Sequence, residues 1–182
     1  KSTQIQKLKE YFSDALITKE PGGTELGREI RDIVLSAKAK SKKAEFLLFL
    51  ADRAEHVKEI IEPNIKKLII SDRSAVSGVA YALIQDAIDS EELISLNDFA
   101  TNKIYPSKVF LLYMTKEELE FRLSQKNLDG IEARGPEYLL NIQDALIKAA
   151  KLLDIELITI DATKNIDDIT NEIINDINSS RR

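Results

Sequence analysis

Four short apolar runs, each followed by a helical pattern, constrain this 182-residue chain more than any other feature. They are ALITK (15–19), KLIIS (67–71), KVFLLYM (108–114) and IELITI (155–160). Each is too short for a stable helix and apolar almost throughout, the pattern of a strand covered on both faces. Strands of that kind, separated by helices, pair in parallel. The expected fold is therefore α/β, a three-layer, doubly wound parallel sheet with helices on both faces.

The helical segments carry apolar residues at spacings of three and four. STQIQKLKEYF sets Ile5, Leu8 and Phe12 on one face, and TELGREIRDIVLS sets Leu26, Ile30, Ile33 and Val34 on another, with Thr24 as its N-cap. KKAEFLLFLADRAEHVKEIIEPNI reads as one long helix that stops near Pro63. Further helices are expected in AVSGVAYALIQDAI, EELISLNDFAT, KEELEFRLSQK, 137–153 and NIDDITNEIINDIN, with a frayed SSRR end. The opening helix lacks a strand before it. A strand and a glycine loop ahead of Lys1 regularise the pattern, so we expect four visible strands and one more upstream. No repeat, low-complexity tract or long linker divides the chain, and residues 1–182 read as a single domain.

Hydrophobic residues at 43% and charged residues at 31% are those of a folded domain. No apolar run approaches the ~18 residues of a membrane span, and no secretory leader pattern is visible. A net charge of −5 argues against a nucleic-acid surface, which needs clustered cations. The absence of cysteine excludes disulfides and thiolate metal sites and fits a reducing cytoplasm. His56, the single histidine, cannot build a multi-histidine centre. A negative chain still binds phosphates if a few cations converge.

Such a convergence is encoded at the strand ends, where open α/β sheets bind ligands. Glu20-Pro21-Gly22-Gly23 follows the first strand; it is either a simple turn or a place where a carboxylate holds a metal-bound water or an arginine. Asp72-Arg73 follows the second strand. There a carboxylate orients hydrated magnesium while a guanidinium neutralises phosphate, or the two form a plain ion pair. Phe49 and Arg53 share a helix face at i, i+4. They are a base-stacking plane beside a carbonyl donor, or a core Phe near a surface Arg. Tyr81 can reach the same space. The polar stretch RLSQKNLDGIEARG, with Arg122, Lys126, Asp129, Glu132 and Arg134, is a lid over about 124–136 or a solvated loop. The opening Lys1-Ser2-Thr3 is either a plain terminus or the tail of a phosphate loop, G-x-x-x-x-G-K-[ST].

In order and spacing, KST, TKEPGGTELGREIRDIVL, LLFLADRAEH, SDRSAVSGVAYA, LDGIE and IDAT resemble the thymidylate kinases, the P-loop enzymes that phosphorylate dTMP to dTDP in dTTP synthesis. The likeness runs from Lys1 to about Thr163 and is nearest to the compact bacterial members. It implies a P-loop NTPase-like fold whose first strand and phosphate-loop glycines precede Lys1. It also implies ATP as donor, Mg²⁺ as cofactor, no nucleic-acid partner, a cytoplasmic location and a homodimer.

By resemblance, Lys1 reaches the ATP phosphates, Ser2 binds Mg²⁺ and Thr3 holds the α-phosphate. Asp72 contacts the metal through water. Glu20 and Pro21 border the acceptor site, and Lys1, Glu20 and Arg73 are the catalytic set. Arg31, Arg53 and Arg73 bind dTMP, Phe49 stacks on thymine, Ser77 contacts the base and Tyr81 lies against the deoxyribose. Asp129 and Glu132 sit near the acceptor sugar, Arg122 and Lys126 are candidate ATP-side cations, and Ala162 passes beside adenine. Three positions depart from the family pattern: Ser74 in DRS, Gly78 after Ser77 and Ala82 after Tyr81. The last two imply fewer thymine-edge hydrogen bonds and relaxed base selectivity. The alternatives are another nucleotide or nucleoside kinase of this fold, or a non-catalytic nucleotide-binding protein.

Overall fold

The structure is a computed structural model that describes residues 1–36, 38–85, 88–125 and 135–180. Its elements follow in the order α1 (Ser2–Tyr11), β1 (Leu16–Lys19), α2 (Glu25–Leu35), α3 (Lys42–His56), β2 (Ile69–Asp72), α4 (Ala75–Gln85) and α5 (Ser90–Thr101). Then come β3 (Lys108–Tyr113), α6 (Lys116–Ser124), α7 (Pro136–Leu152), β4 (Glu156–Asp161) and α8 (Ile166–Ser180). All four strands expected from the apolar runs form, and every observed pairing is parallel. They pair as two ladders. β1 lies against β2 with Lys19 opposite Asp72, and β3 lies against β4 with Tyr113 opposite Asp161.

The alternation of side chains along a strand builds the layers. Val109 and Leu157 pack with Phe46, Leu50, Val76, Val79, Leu93 and Ala149, which come from α3, α4, α5 and α7. Their neighbours in sequence, Phe110 and Ile158, turn the other way. With Leu68 and Ile70 they pack against Leu8 and Phe12 of α1 and Ile169, Ile173 and Ile174 of α8. The strands are thus covered on both faces, as their continuous apolar composition requires.

Helix α4 is the most deeply set. Its sequence AVSGVAYALIQ is apolar and small all round, and Val79 and Ala80 are fully buried. Small residues on α4 and on α7 (Ala145, Ala149, Ala150) let the two helices approach closely. Burying a side chain such as Val79 contributes about 1.5–3 kcal/mol, so a charge there would break the layer.

At α2 the expected cap is present: Thr24 Oγ1 accepts from the Gly27 backbone N–H at 2.9 Å. The apolar stripe differs from expectation. Ile30 is buried, but Leu26 and Ile33 stay 46% and 43% exposed. Gly27 and Ile30 are the buried positions of α2, which packs against α3, and that contact is narrower than the stripe. Helix α3 continues past His56 as a π turn (Val57–Ile61) and a 3₁₀ turn (Glu62–Asn64). Pro63 has no N–H to extend the α ladder.

Candidate active site

The parallel ladder of β1 and β2 brings the Glu20 and Asp72 strand ends together: the Glu20 N–H donates to the Asp72 carbonyl at 3.1 Å. Three further elements deliver side chains to this corner. The start of α1 supplies Lys1, whose Nζ stands 3.7 Å from Asp72 Oδ1. Ser2 and Thr3 follow it on the exposed first turn of α1. The far end of α3 supplies Arg53, and α4, leaving β2 directly, supplies Ser77, Gly78 and Tyr81.

Glu20 is the hub. Its Oε2 accepts from Arg53 Nε at 3.0 Å, and its Oε1 is 2.9 Å from His56 Nδ1. Burial pushes the Glu20 carboxyl up, but Arg53 and His56 together outweigh burial and hold it below its ordinary value. The carboxylate is therefore ionised over the physiological range. With both oxygens engaged, Glu20 holds an arginine, one of the two roles open to it from sequence.

His56 Nε2 lies 2.6 Å from Thr18 Oγ1, so the imidazole bridges β1 and the Glu20 carboxylate while almost fully buried. Arg53 NH1 donates to Asn97 Oδ1 of α5 at 2.7 Å. Asp52, the residue before Arg53, accepts from the Gly22 N–H at 2.8 Å, and burial first of all raises its pKa. This bond holds the PGGT turn, in which Gly22 has φ +97°, a conformation open to glycine. Gly23 permits a close approach: a Cβ there would stand 2.6 Å from His56 Cδ2 and 2.8 Å from the Lys19 carbonyl. Arg31 of α2 reaches back to the same turn and donates to the Pro21 carbonyl at 3.2 Å.

Asp72 and Arg73 do not pair with each other as a plain ion pair would. Asp72 faces Lys1, whereas the exposed Arg73 guanidinium lies 6.0 Å from the centroid of the Tyr81 ring, in cation–π range. Arg73 has φ +77°, a conformation that costs a non-glycine residue roughly 1–3 kcal/mol. Such strain concentrates where a strand tip must turn sharply to present a side chain.

Most candidates thus converge on one corner. Lys1, Glu20, Pro21, Arg31, Arg53, Asp72 and Arg73 join through the contacts above, and Ser77 and Tyr81 line the adjoining face of α4. Phe49 is half-buried one turn before Arg53 on α3. Arg122 stands on α6 and donates from NH2 to the Ala162 carbonyl at 2.6 Å, which joins two of the ATP-side candidates. Lys126, Asp129, Glu132 and Arg134, with most of the 124–136 segment, lie outside the described residues. Sequence reasoning missed His56, Asn97, Asp52 and Thr18 as parts of this network. For His56 a signal existed, because Phe49, Arg53 and His56 follow i, i+4, i+7 along one face of α3.

The thymidylate kinase family model matches residues 1–173 of the chain. The chain is 72% identical to the thymidylate kinase of Sulfurimonas denitrificans over 178 residues, covering 98% of this chain and 93% of that protein. It is 51% identical to the thymidylate kinase of Aliarcobacter butzleri, covering 95% and 90% respectively. Among solved structures, it superposes on the crystal structure of thymidylate kinase from Ehrlichia chaffeensis with a TM-score of 0.74 at 27% identity, covering 98% of this chain and 91% of that one.

Proposed function

The chain belongs to the thymidylate kinase family, and from that premise we propose how its residues divide the transfer of a phosphoryl group from ATP to dTMP, giving dTDP for dTTP synthesis. Two polyanions must meet in line and away from water. The protein's work is therefore positioning and charge neutralisation rather than covalent chemistry. Lys1 draws in the donor phosphates, Ser2 and Thr3 hold the donor at the start of α1, and Arg73 spans donor and acceptor. Arg31 binds the acceptor phosphate beside Pro21. Phe49 stacks on the base, Arg53 donates to its carbonyl edge, Ser77 contacts the base and Tyr81 packs against the sugar. Arg122 with Ala162 flanks the adenine. Glu20 serves by aiming Arg53 and balancing its buried charge.

The observation that carries this reading is the single corner joining Lys1, Asp72, Glu20 and Arg53, residues from one helix start, two strand ends and a second helix. The donor chemistry fits a magnesium ion: the Ser2 hydroxyl and the partly exposed Asp72 carboxylate are hard oxygen ligands, and Mg²⁺ uses one or two of these with phosphates and waters. Bound there, the ion would neutralise phosphate oxygens; Ser2 and, through water, Asp72 would hold it, and Lys1 would share the charge. Among the described residues no helix is long and apolar enough to cross a membrane. That fits the cytoplasmic location we propose, where ATP and dTMP occur. We further propose a homodimer through the exposed apolar residues of α2 and α3.

The test is a coupled ADP-release assay with Mg²⁺, ATP and dTMP, with dUMP, dCMP and dGMP as competing acceptors. Turnover that prefers dTMP supports the assignment. Equal turnover of a purine monophosphate would reassign the acceptor site, and saturable nucleotide binding without turnover would point to a binding protein.

A further inference from the structure

We propose that Asn97 is a positioning residue for Arg53, and that with Gly78 it sets the preference for a 4-oxo over a 4-amino pyrimidine. The proposal rests on the reading of Arg53 as the donor to the base carbonyl.

Arg53 is held on three sides. Nε donates to Glu20 and NH1 donates to Asn97 at 2.7 Å. NH2 lies against the bare α carbon of residue 78, where a Cβ would come within 2.6 Å of it. The same imaginary Cβ would be 3.3 Å from NH1 and 3.4 Å from Cζ, so the guanidinium packs against the α4 backbone with NH2 foremost. Asn97 is fully buried and cannot rotate away. Its Nδ2 donates to the Leu93 carbonyl at 2.7 Å, and its own carbonyl accepts from Thr101 Oγ1 at 2.8 Å. These partners also settle which way the amide faces. A backbone carbonyl only accepts and a guanidinium only donates, so Oδ1 must face Arg53 and the NH₂ group must face Leu93.

The consequence is chemical. Of the five guanidinium N–H groups, Glu20 and Asn97 occupy one each, which leaves three, and NH2 lies against α4 at Gly78, the residue after Ser77. A donor-only group fixed there accepts a 4-oxo pyrimidine as partner and opposes a 4-amino pyrimidine, which presents donors of its own. Gly78 also acquires a reason. The family's polar side chain is absent at this position, and its space is taken by Arg53. Selectivity at the base edge is thus carried by the clamped arginine and not lost with the missing side chain.

The experiment compares kcat and KM for dTMP, dUMP and dCMP in Asn97→Ala, Asn97→Asp, Gly78→Ala and Arg53→Ala, with thermal melting of each. Losing the bond to a charged group should lower kcat/KM for dTMP and dUMP about tenfold or more. The loss should fall mainly in KM, with dCMP turnover and the KM for ATP little changed. Asn97→Asp keeps an acceptor for NH1 and should retain the 4-oxo preference. Gly78→Ala displaces the guanidinium from the other side and should act as Asn97→Ala does, which keeps the test open if Asn97→Ala does not fold. A fall in melting temperature with all three acceptors scaled equally in both variants would overturn the proposal and leave Asn97 a packing residue. If Arg53→Ala itself left the dTMP:dCMP ratio intact, the base-edge reading would be the one at fault.

Discussion

Arg53 and Glu20, 33 residues apart in sequence, meet at 3.0 Å with only 3% and 10% of their side chains exposed. At that depth the charges are mutually dependent. Each has lost its hydration, and each is tolerable only because the other is there. Removing one partner of such a pair typically costs about 3–5 kcal/mol, far more than the pair's net worth. Glu20→Gln should therefore lower the melting temperature by on the order of 10 °C for a chain of this size. Replacing Lys58, whose bond to Glu62 is at the surface, should change it little. Calorimetry on both variants decides the point, and equal small effects would mean that the buried pair is already hydrated.

The same carboxylate sets an acid limb of stability. Glu20 is held below its ordinary value of 4.5 in the folded chain. Above that value it is ionised in both states and its full contribution is present. As the pH falls, the unfolded chain takes up the proton first, so the contribution is lost progressively down through the folded pKa. Asp52 acts in the opposite sense, because burial raises it above its ordinary 3.8 and the folded chain binds its proton first. Urea midpoints measured from about pH 6 to about pH 3 should fall for the wild type, fall less for Glu20→Gln and fall more steeply for Asp52→Asn. Parallel curves for all three would remove both groups from the account.

How far the sequence carried this picture is clearest at single residues. The strands were legible because apolar runs such as KVFLLYM admit little else, and Thr24 because a hydroxyl before a helical stripe caps it. Glu20, Asp72 and Arg73 were legible because topology places strand ends in one crevice, Arg53 because it shares a helix face with Phe49, and Arg31 only through the family resemblance. What the strand and helix periods could not reveal was pairing between side chains. Nothing local says that Asp72 faces Lys1 instead of Arg73, or that Asn97 of α5 completes the Arg53 clamp, since both contacts depend on how separate elements dock. The α2 stripe misled for a related reason: periodicity shows an apolar face without showing what covers it.

Gly27 offers a reversal of ordinary helix preference. It sits within α2, where replacing glycine by alanine normally stabilises by about 1 kcal/mol. Here a Cβ would stand 2.4 Å from Asp52 Oδ1 and 2.8 Å from Thr24 Oγ1. Asp52 is fixed by the Gly22 N–H and Thr24 is the cap, so neither can yield without losing its bond. Gly27→Ala should destabilise by about 1–3 kcal/mol in denaturant titration, and a stabilised variant would show that the turn has slack.

Arg73 separates stability from activity. Its φ of +77° is strained for arginine and unstrained for glycine. Arg73→Gly should gain roughly 1 kcal/mol of stability while losing about 10²–10³ in turnover, the cost of removing a preorganised charge donor. Arg73→Ala keeps the strain and should lose the activity without the gain. Denaturant midpoints beside ADP-release rates give both numbers. Near wild-type turnover by Arg73→Ala would exclude Arg73 from the phosphoryl transfer.

The exposed apolar residues of α2 and its neighbours lead to the last prediction. Leu26, Ile33, Leu47 and Phe99 are 46%, 43%, 55% and 85% exposed, and they stand on α2, α3 and α5, which pack side by side. Isolated exposed leucines are ordinary, but several on adjoining helices are what a patch for a partner would be built from. A second copy of the chain supplies the same surface, and a two-fold contact between such patches is self-complementary. It need bury only about 1,200–2,000 Å² in total to be stable. In sedimentation velocity the wild type should run as a dimer, and Leu47→Glu, which places a charge in the patch without touching Glu20 or Arg53, should run as a monomer with its fold intact by circular dichroism. A wild type that stays monomeric at micromolar concentration would leave this patch without its partner.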